Sequence, residues 1–273
     1  MKRRHAAVAV LAAGLLPFAY VQVAEHASNE RDWSPDQKVL AHAEFDGERV
    51  TVRNLRNFEY RSESDYVARY DTRTYDLSKL DSMWFVVERL GEKPGIAHTL
   101  LSFGFGGDYL AISVEIRKER GESYSVLRGL LRQYELMYVV ADERDVIGLR
   151  TNHRRDRVYL YPVRAQPEAM RRAFVEMLQR ANKLAGAPEF YNTLTSTCTT
   201  NLVRHVNTIA PGKIPLSYKV LLPAYSDSLA YDLGLIPTER PFEAVQAAHR
   251  IDLRAQKNGL GADFSHALRR GPG

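Results

Sequence analysis

The chain has 273 residues, 45% of them hydrophobic and 26% charged, with a formal net charge of +5 and a single cysteine. That composition supplies a full hydrophobic core and excludes both a disordered chain and a small disulfide-stapled domain. The slight basic excess alternates with acids, as in Arg117-Lys118-Glu119-Arg120-Gly121-Glu122, and reads as a solvated face rather than a nucleic-acid groove; no nucleic-acid partner is expected.

In chain order, Lys2, Arg3 and Arg4 precede an apolar run from Ala6 to Ala24. A basic head and an apolar body predict export, with the remainder on the outer side of the inner membrane. Residues 1–27 are thus a membrane anchor or a cleaved signal peptide; a buried helix of the folded part is the remaining alternative. Pro17 and Gln22 interrupt the run, and we expect the anchor to be retained, tethering a periplasmic protein through residues 6–24. Residues 28–53 read as a polar stem and lead-in strands, 54–240 as the main domain and 241–273 as a C-terminal extension, its tail frayed from Ala262.

Strand-like stretches follow at Ala43–Phe45 and Arg49–Arg53 around an Asp46-Gly47 turn, then at Phe58–Arg61, Val67–Tyr75 and Ser82–Glu88. The last, SMWFVVE, is apolar enough to be central in a sheet. The segment His98–Arg117 is the clearest hairpin, with Gly106-Gly107 as a two-residue turn. Further strands are expected at Gln133–Val140 and Val158–Val163. Pro167 then opens an amphipathic helix over Glu168–Leu184, and a second helix begins after the Ser/Thr run that contains Cys198. The last third reads as a loop and a short helix over the core. The fold class is α+β, an antiparallel sheet packed with helices and preceded by an N-terminal apolar helix.

Cys198 lies in Ser196-Thr197-Cys198-Thr199-Thr200-Asn201, where hydroxyl side chains are natural helix caps. The thiol then sits at the positive end of a helix dipole, which favours the thiolate. A buried, inert cysteine is the competing reading. Counting outward from the Gly106-Gly107 turn places His98 opposite Glu115, so a carboxylate can orient the imidazole as the third group of a catalytic triad. The competing reading is an ordinary cross-strand pair, and a one-residue slip would separate the two. Asn192 and Asn201 are candidates for substrate contacts, with capping as their alternative. His205, two helical turns beyond Cys198, is expected at a partly exposed position. Asp142-Glu143-Arg144-Asp145 reads as a charged turn. No zinc spacing, phosphate-binding glycine loop or serine elbow is present, so neither a metal nor a cofactor is expected.

The ordered segments RNFEYRSESD (56–65), AHTLLSFGFG (97–106), YLAISVEIRKE (109–119), YELMYVVADERD (134–145), LRTN (149–152) and FYNTLTSTCTTN (190–201) resemble the Lnb N-terminal periplasmic domain family, over about residues 54–236. The resemblance implies a permuted papain-like fold of the NlpC type, with the histidine strand preceding the cysteine helix. It implies Cys198 as nucleophile and His98 as base; Glu115 comes from the hairpin register. It also implies a lipoprotein N-acyltransferase chemistry, in which the thiol takes an acyl chain from membrane phospholipid and passes it to an amine such as a lipoprotein N-terminus. This chain differs in ending soon after the domain. A cysteine peptidase or amidase acting on cell-wall peptide, and a non-catalytic binding domain, are the alternatives.

Overall fold

The computed structural model describes residues 24–91, 95–210 and 212–270. Ten strands are described: β1 (His42–Asp46), β2 (Arg49–Arg56), β3 (Glu59–Tyr60), β4 (Tyr66–Val67), β5 (Tyr70–Asp76), β6 (Leu80–Arg89), β7 (Ala97–Phe105), β8 (Asp108–Arg117), β9 (Glu135–Asp142) and β10 (Arg157–Pro162). Eight form one sheet in the order β1-β2-β9-β8-β7-β6-β10, with β5 on β2, and β3 pairs with β4 separately. Its pairings are antiparallel except for a single parallel contact between Arg56 and Ala141. The mixed α+β architecture is therefore the one expected, while the N-terminal apolar helix falls mostly outside the described residues. Among the described residues no helix is long and apolar enough to cross a membrane.

The hairpin turns where the glycines require it. Gly106 and Gly107 have φ of 62° and 111°, a region costly for residues with a Cβ, and the ladder pairs Phe105 with Asp108 out to Leu100 with Ser113. Alternation along β7 then sends Leu101, Phe103 and Phe105 to one face and Leu100 to the other. The first face packs on α3 (Pro167–Gly186) through Phe174, Met177 and Leu178, and on α4 (Cys198–Ile209) through Cys198 and Leu202. The second face packs on α2 (Glu143–Gly148), which continues as a π-helical turn over Leu149–His153, and on α8 (Asp252–Asn258) and α9 (Phe264–Arg269). The sheet is thus the middle of three layers.

Several expectations change, some because polar residues are buried against distant partners. SMWFVVE lies in β6, next to the edge strand β10 rather than in the middle. Its apolar content reflects burial on both faces, since Met83 packs on the α3 side and Val86 with Ile251 and Phe264 on the other. The polar stem is a docked strap: Asn29 bonds the carbonyls of Leu184 and Ala185, and Trp33 is buried under the Arg117 guanidinium at 4.2 Å. Arg117 is therefore not part of a solvated face. The expected division at residue 54 falls inside β2. The tail is helical as α9, with Arg269 paired to Glu143 at 2.7 Å. The last third carries, besides α8 and α9, three further short helices, α5 (Tyr218–Leu221), α6 (Ser226–Asp232) and α7 (Phe242–Ala248). A short α1 (Val126–Leu130) was also unforeseen.

The acidic cluster 142–145 starts α2 rather than forming a charged turn. Asp142 caps the helix, Glu143 accepts from Ser102, and Asp145 binds Arg56 with Nη2–Oδ1 of 2.7 Å while accepting from the Phe58 amide at 2.8 Å. Both members of the Arg56–Asp145 pair are buried, so removing one leaves an uncompensated charge. Asp145→Ala should lower stability to urea by about 3–5 kcal/mol, whereas Leu216→Ala at an exposed position should change it by less than about 0.5 kcal/mol.

Candidate active site

The cysteine is placed by a helix cap. Thr197 accepts from the Thr200 amide at 3.2 Å and its own amide donates to the Thr200 hydroxyl at 2.7 Å, a reciprocal box that fixes where α4 begins. Cys198 is the first helical residue, so its sulfur lies at the positive end of the helix dipole. The cap foreseen from the Ser/Thr run is therefore present, and it aims the thiol at the start of β7, where His98 stands.

The imidazole is held from β8. His98 Nε2 lies 2.7 Å from Ser113 Oγ and 3.2 Å from Glu115 Oε1, and the Ser113 hydroxyl donates to the same carboxylate oxygen at 2.7 Å. The hairpin register thus brings His98 and Glu115 together. The imidazole's further partner is the Cys198 thiol. Behind Glu115 stands Arg150, on the π-helical turn, donating to Glu115 at 2.8 Å, to Glu88 at 2.7 Å and to the Val146 carbonyl at 2.7 Å. Glu88 is itself the cross-strand neighbour of His98 in β6.

These partners decide the protonation states. Burial opposes charge on His98, but the Glu115 carboxylate and the Cys198 sulfur outweigh it and raise the imidazole to about 10. Burial likewise raises the thiol, yet the charge of His98 and hydrogen bonds from His98 and Thr99 bring Cys198 down to about 7. Glu115 is held well below its usual range because His98 and Arg150 overcome the desolvation. Between those two values the pair is a thiolate and an imidazolium, a nucleophile beside its proton donor.

Tyr191 completes the surroundings of the sulfur. Tyr191 is buried, and desolvation followed by the nearby Cys198 charge pushes its phenol pKa upward, so it remains neutral. Ser113, Glu88, Arg150 and Tyr191 were not foreseen as site residues. Ser113 was legible in principle, two residues before Glu115 on the same face of β8. Arg150 lies in the LRTN segment, but its target depends on where the π-helical turn docks.

Asn192 and Asn201 both bond the loop that precedes α4. The Asn192 Oδ1 accepts from the amides of Leu194 and Thr195, closing the loop before α4, and Asn201 Nδ2 is bonded to Ser196 Oγ and the Thr197 carbonyl. Both hold the loop that presents Cys198, the capping alternative. His205 is buried rather than partly exposed; it bonds Tyr138 at 2.8 Å, and burial with the charges of Arg180 and Arg204 lowers it to about 4, so it is neutral at neutral pH. Among the described residues no three His, Cys, Asp or Glu side chains are grouped to hold a metal ion.

Alkylation of Cys198 should accelerate through an inflection near pH 7, because the reactive thiolate is lost as pH falls through that value. His98→Ala should move the inflection above the ordinary thiol value of about 8.5, since burial then acts without the imidazolium. Glu115→Gln should move it in the same direction by less. Iodoacetamide kinetics against pH check all three; an inflection unmoved by His98→Ala would show that no such pair operates.

An apolar cavity of about 370 Å3 runs along α4 from this site. Thr199, next to the cysteine, is at its wall with Phe85, Leu101, Leu202, Val206 and Leu229.

No curated protein and no solved structure matches the chain significantly. Residues 66–224, more than half of the chain and including Cys198, His98 and Glu115, match the family described as the Lnb N-terminal periplasmic domain. With that family match over the whole Cys198–His98 site, the chain belongs to the Lnb N-terminal periplasmic domain family, a family of the periplasm.

Proposed function

We propose that this protein is a thiol-dependent acyltransferase of the cell envelope, moving an acyl chain from a membrane phospholipid to an amine such as a lipoprotein N-terminus through a thioester on Cys198. The observation that carries the reading is the apolar cavity beside the thiol. A volume of about 370 Å3 with largely apolar walls suits a hydrocarbon chain better than a peptide. His205 reaches the cavity wall in its neutral form, so it adds no charge to that lining.

In the first half-reaction the Cys198 thiolate attacks the ester carbonyl of the donor. A C–S bond forms, the acyl C–O bond breaks, and the departing alkoxide takes the proton of the His98 imidazolium. In the second, the acceptor amine attacks the thioester: a C–N bond forms, the C–S bond breaks, the thiolate returns and His98 takes the amine proton. Glu115, fixed by Arg150, keeps the imidazole oriented through both. The Cys198 and Thr199 amides, in the first turn of α4 and without an intrahelical acceptor, would be the donors to the developing oxyanion. The apolar run of residues 6–24 would hold the enzyme at the inner membrane.

Incubation with phospholipid vesicles followed by intact-mass measurement should reveal an acyl group on Cys198, absent from Cys198→Ala. Release of cell-wall peptide fragments with no adduct would instead favour the cysteine hydrolase. Val206→Trp, which fills the cavity, should slow acylation by long-chain donors by roughly tenfold and leave short-chain donors nearly unaffected. Equal effects on both would place the chain elsewhere.

A further inference from the structure

The end of the sheet that carries the thiol also carries an unusual amount of exposed apolar surface, in two lobes. One is α1 with the loop before α4: Tyr124, Val126, Leu127 and Leu194 are all exposed, Leu127 by 63% and Leu194 by 57%. This lobe is tied to the cysteine, because the Thr193 hydroxyl bonds the Val126 carbonyl and Gly129 packs against the Tyr191 ring. The other is α5 and the segment before it: Leu216 and Tyr218 are 81% and 61% exposed, followed by Leu221 and Leu222. It is tied to the histidine strand, because Leu222 packs against Gly95 and the Ala224 amide donates to the Gly95 carbonyl, with Ile96 exposed alongside.

Isolated exposed leucines need no explanation, but grouped ones beside a site mark a docking face. The chain itself points to the occupant. The apolar run of residues 6–24 leads straight into the described structure at Ala24, and the Ser28 amide then bonds Glu135 at the start of β9. The starts of β7 and β9 and the ends of β6 and β8 all lie at this one end of the sheet, together with Cys198. A membrane-held N-terminus therefore brings the catalytic end, and no other, against the bilayer. Tyrosines beside leucines are the side chains that settle at a lipid interface.

We infer that the two lobes form a membrane-docking face that seats the rim of the active site in the outer leaflet of the inner membrane. The surface does not depend on the acyltransfer reading. Aliphatic side chains enter the headgroup region on either side of the thiol, as an interfacial helix does with its apolar face.

The test uses the full-length protein in vesicles of zwitterionic phospholipid brominated on the acyl chains. Tryptophan is placed by Leu127→Trp in the first lobe, Tyr218→Trp in the second and Asp108→Trp at the β7–β8 turn, at the far end of the sheet. Added emission at Leu127→Trp and at Tyr218→Trp should be quenched several-fold more than at Asp108→Trp, and equally so in a Cys198→Ser background that cannot form a thioester. Quenching at either lobe no greater than at Asp108→Trp overturns the docking face. Because the Cys198→Ser arm reads contact without chemistry, failure of the acyltransferase reading would leave this result unchanged.

Discussion

A buried guanidinium holds the site together. Arg150 spans from β6 to β8 beneath the histidine strand, bonding Glu88 on one side and Glu115 on the other. Neither carboxylate would remain charged in that interior alone, and without Glu115 the imidazole of His98 would lose the partner that raises it. The row then alternates in sign through Glu88, Arg150, Glu115, His98 and Cys198. Each charge is tolerable because its neighbour is opposite, and the row ends in a buried thiolate at Cys198. A buried ion pair is weak evidence of stability, but here its arrangement sets the protonation of a nucleophile.

Two rigid devices converge on this row from opposite faces of the sheet. On one face the Thr197–Thr200 box fixes the start of α4, so the sulfur cannot slide along the helix axis. On the other, α2 passes into a π-helical turn, and the extra residue in that turn coincides with the segment that delivers Arg150. Arg56–Asp145 anchors the same helix to β2. The candidate site is therefore built from both layers with the histidine strand between them. The apolar cavity lies on the α4 side, with Thr199, the residue after Cys198, in its wall.

Much of the fold was legible because it is local. Gly106-Gly107 demanded a tight turn, and a tight turn sets the register, which is why the His98–Glu115 juxtaposition was readable from residue numbers. The heptad-like spacing of Met170, Phe174, Met177 and Leu178 likewise announced α3. The Ser/Thr run before Cys198 announced a cap because short hydroxyl side chains bond the amides two or three residues on. The errors were of another kind: Arg117, Asp145, Glu143 and His205 were all read as surface groups, and all are buried. A charged residue looks solvated in a sequence, since its buried partner lies many positions away.

Sequence alone thus determined the family, the hairpin, the helix that carries the thiol and the pairing of His98 with Glu115, each governed by contacts within about twenty residues or by an ordered set of motifs. Tertiary structure alone decided that Arg150 joins Glu88 to Glu115, that Tyr191 flanks the sulfur, and that Asn192 and Asn201 serve the loop. It also decided that the strap of residues 25–40 docks on the sheet, that a cavity opens beside α4, and that the exposed leucines gather at the end of the sheet that carries Cys198. These features depend on which surfaces meet across the sheet. Arg150 lies 62 residues from Glu88, and Asn29 of the strap 155 from Leu184; no local spacing encodes where such surfaces come into contact.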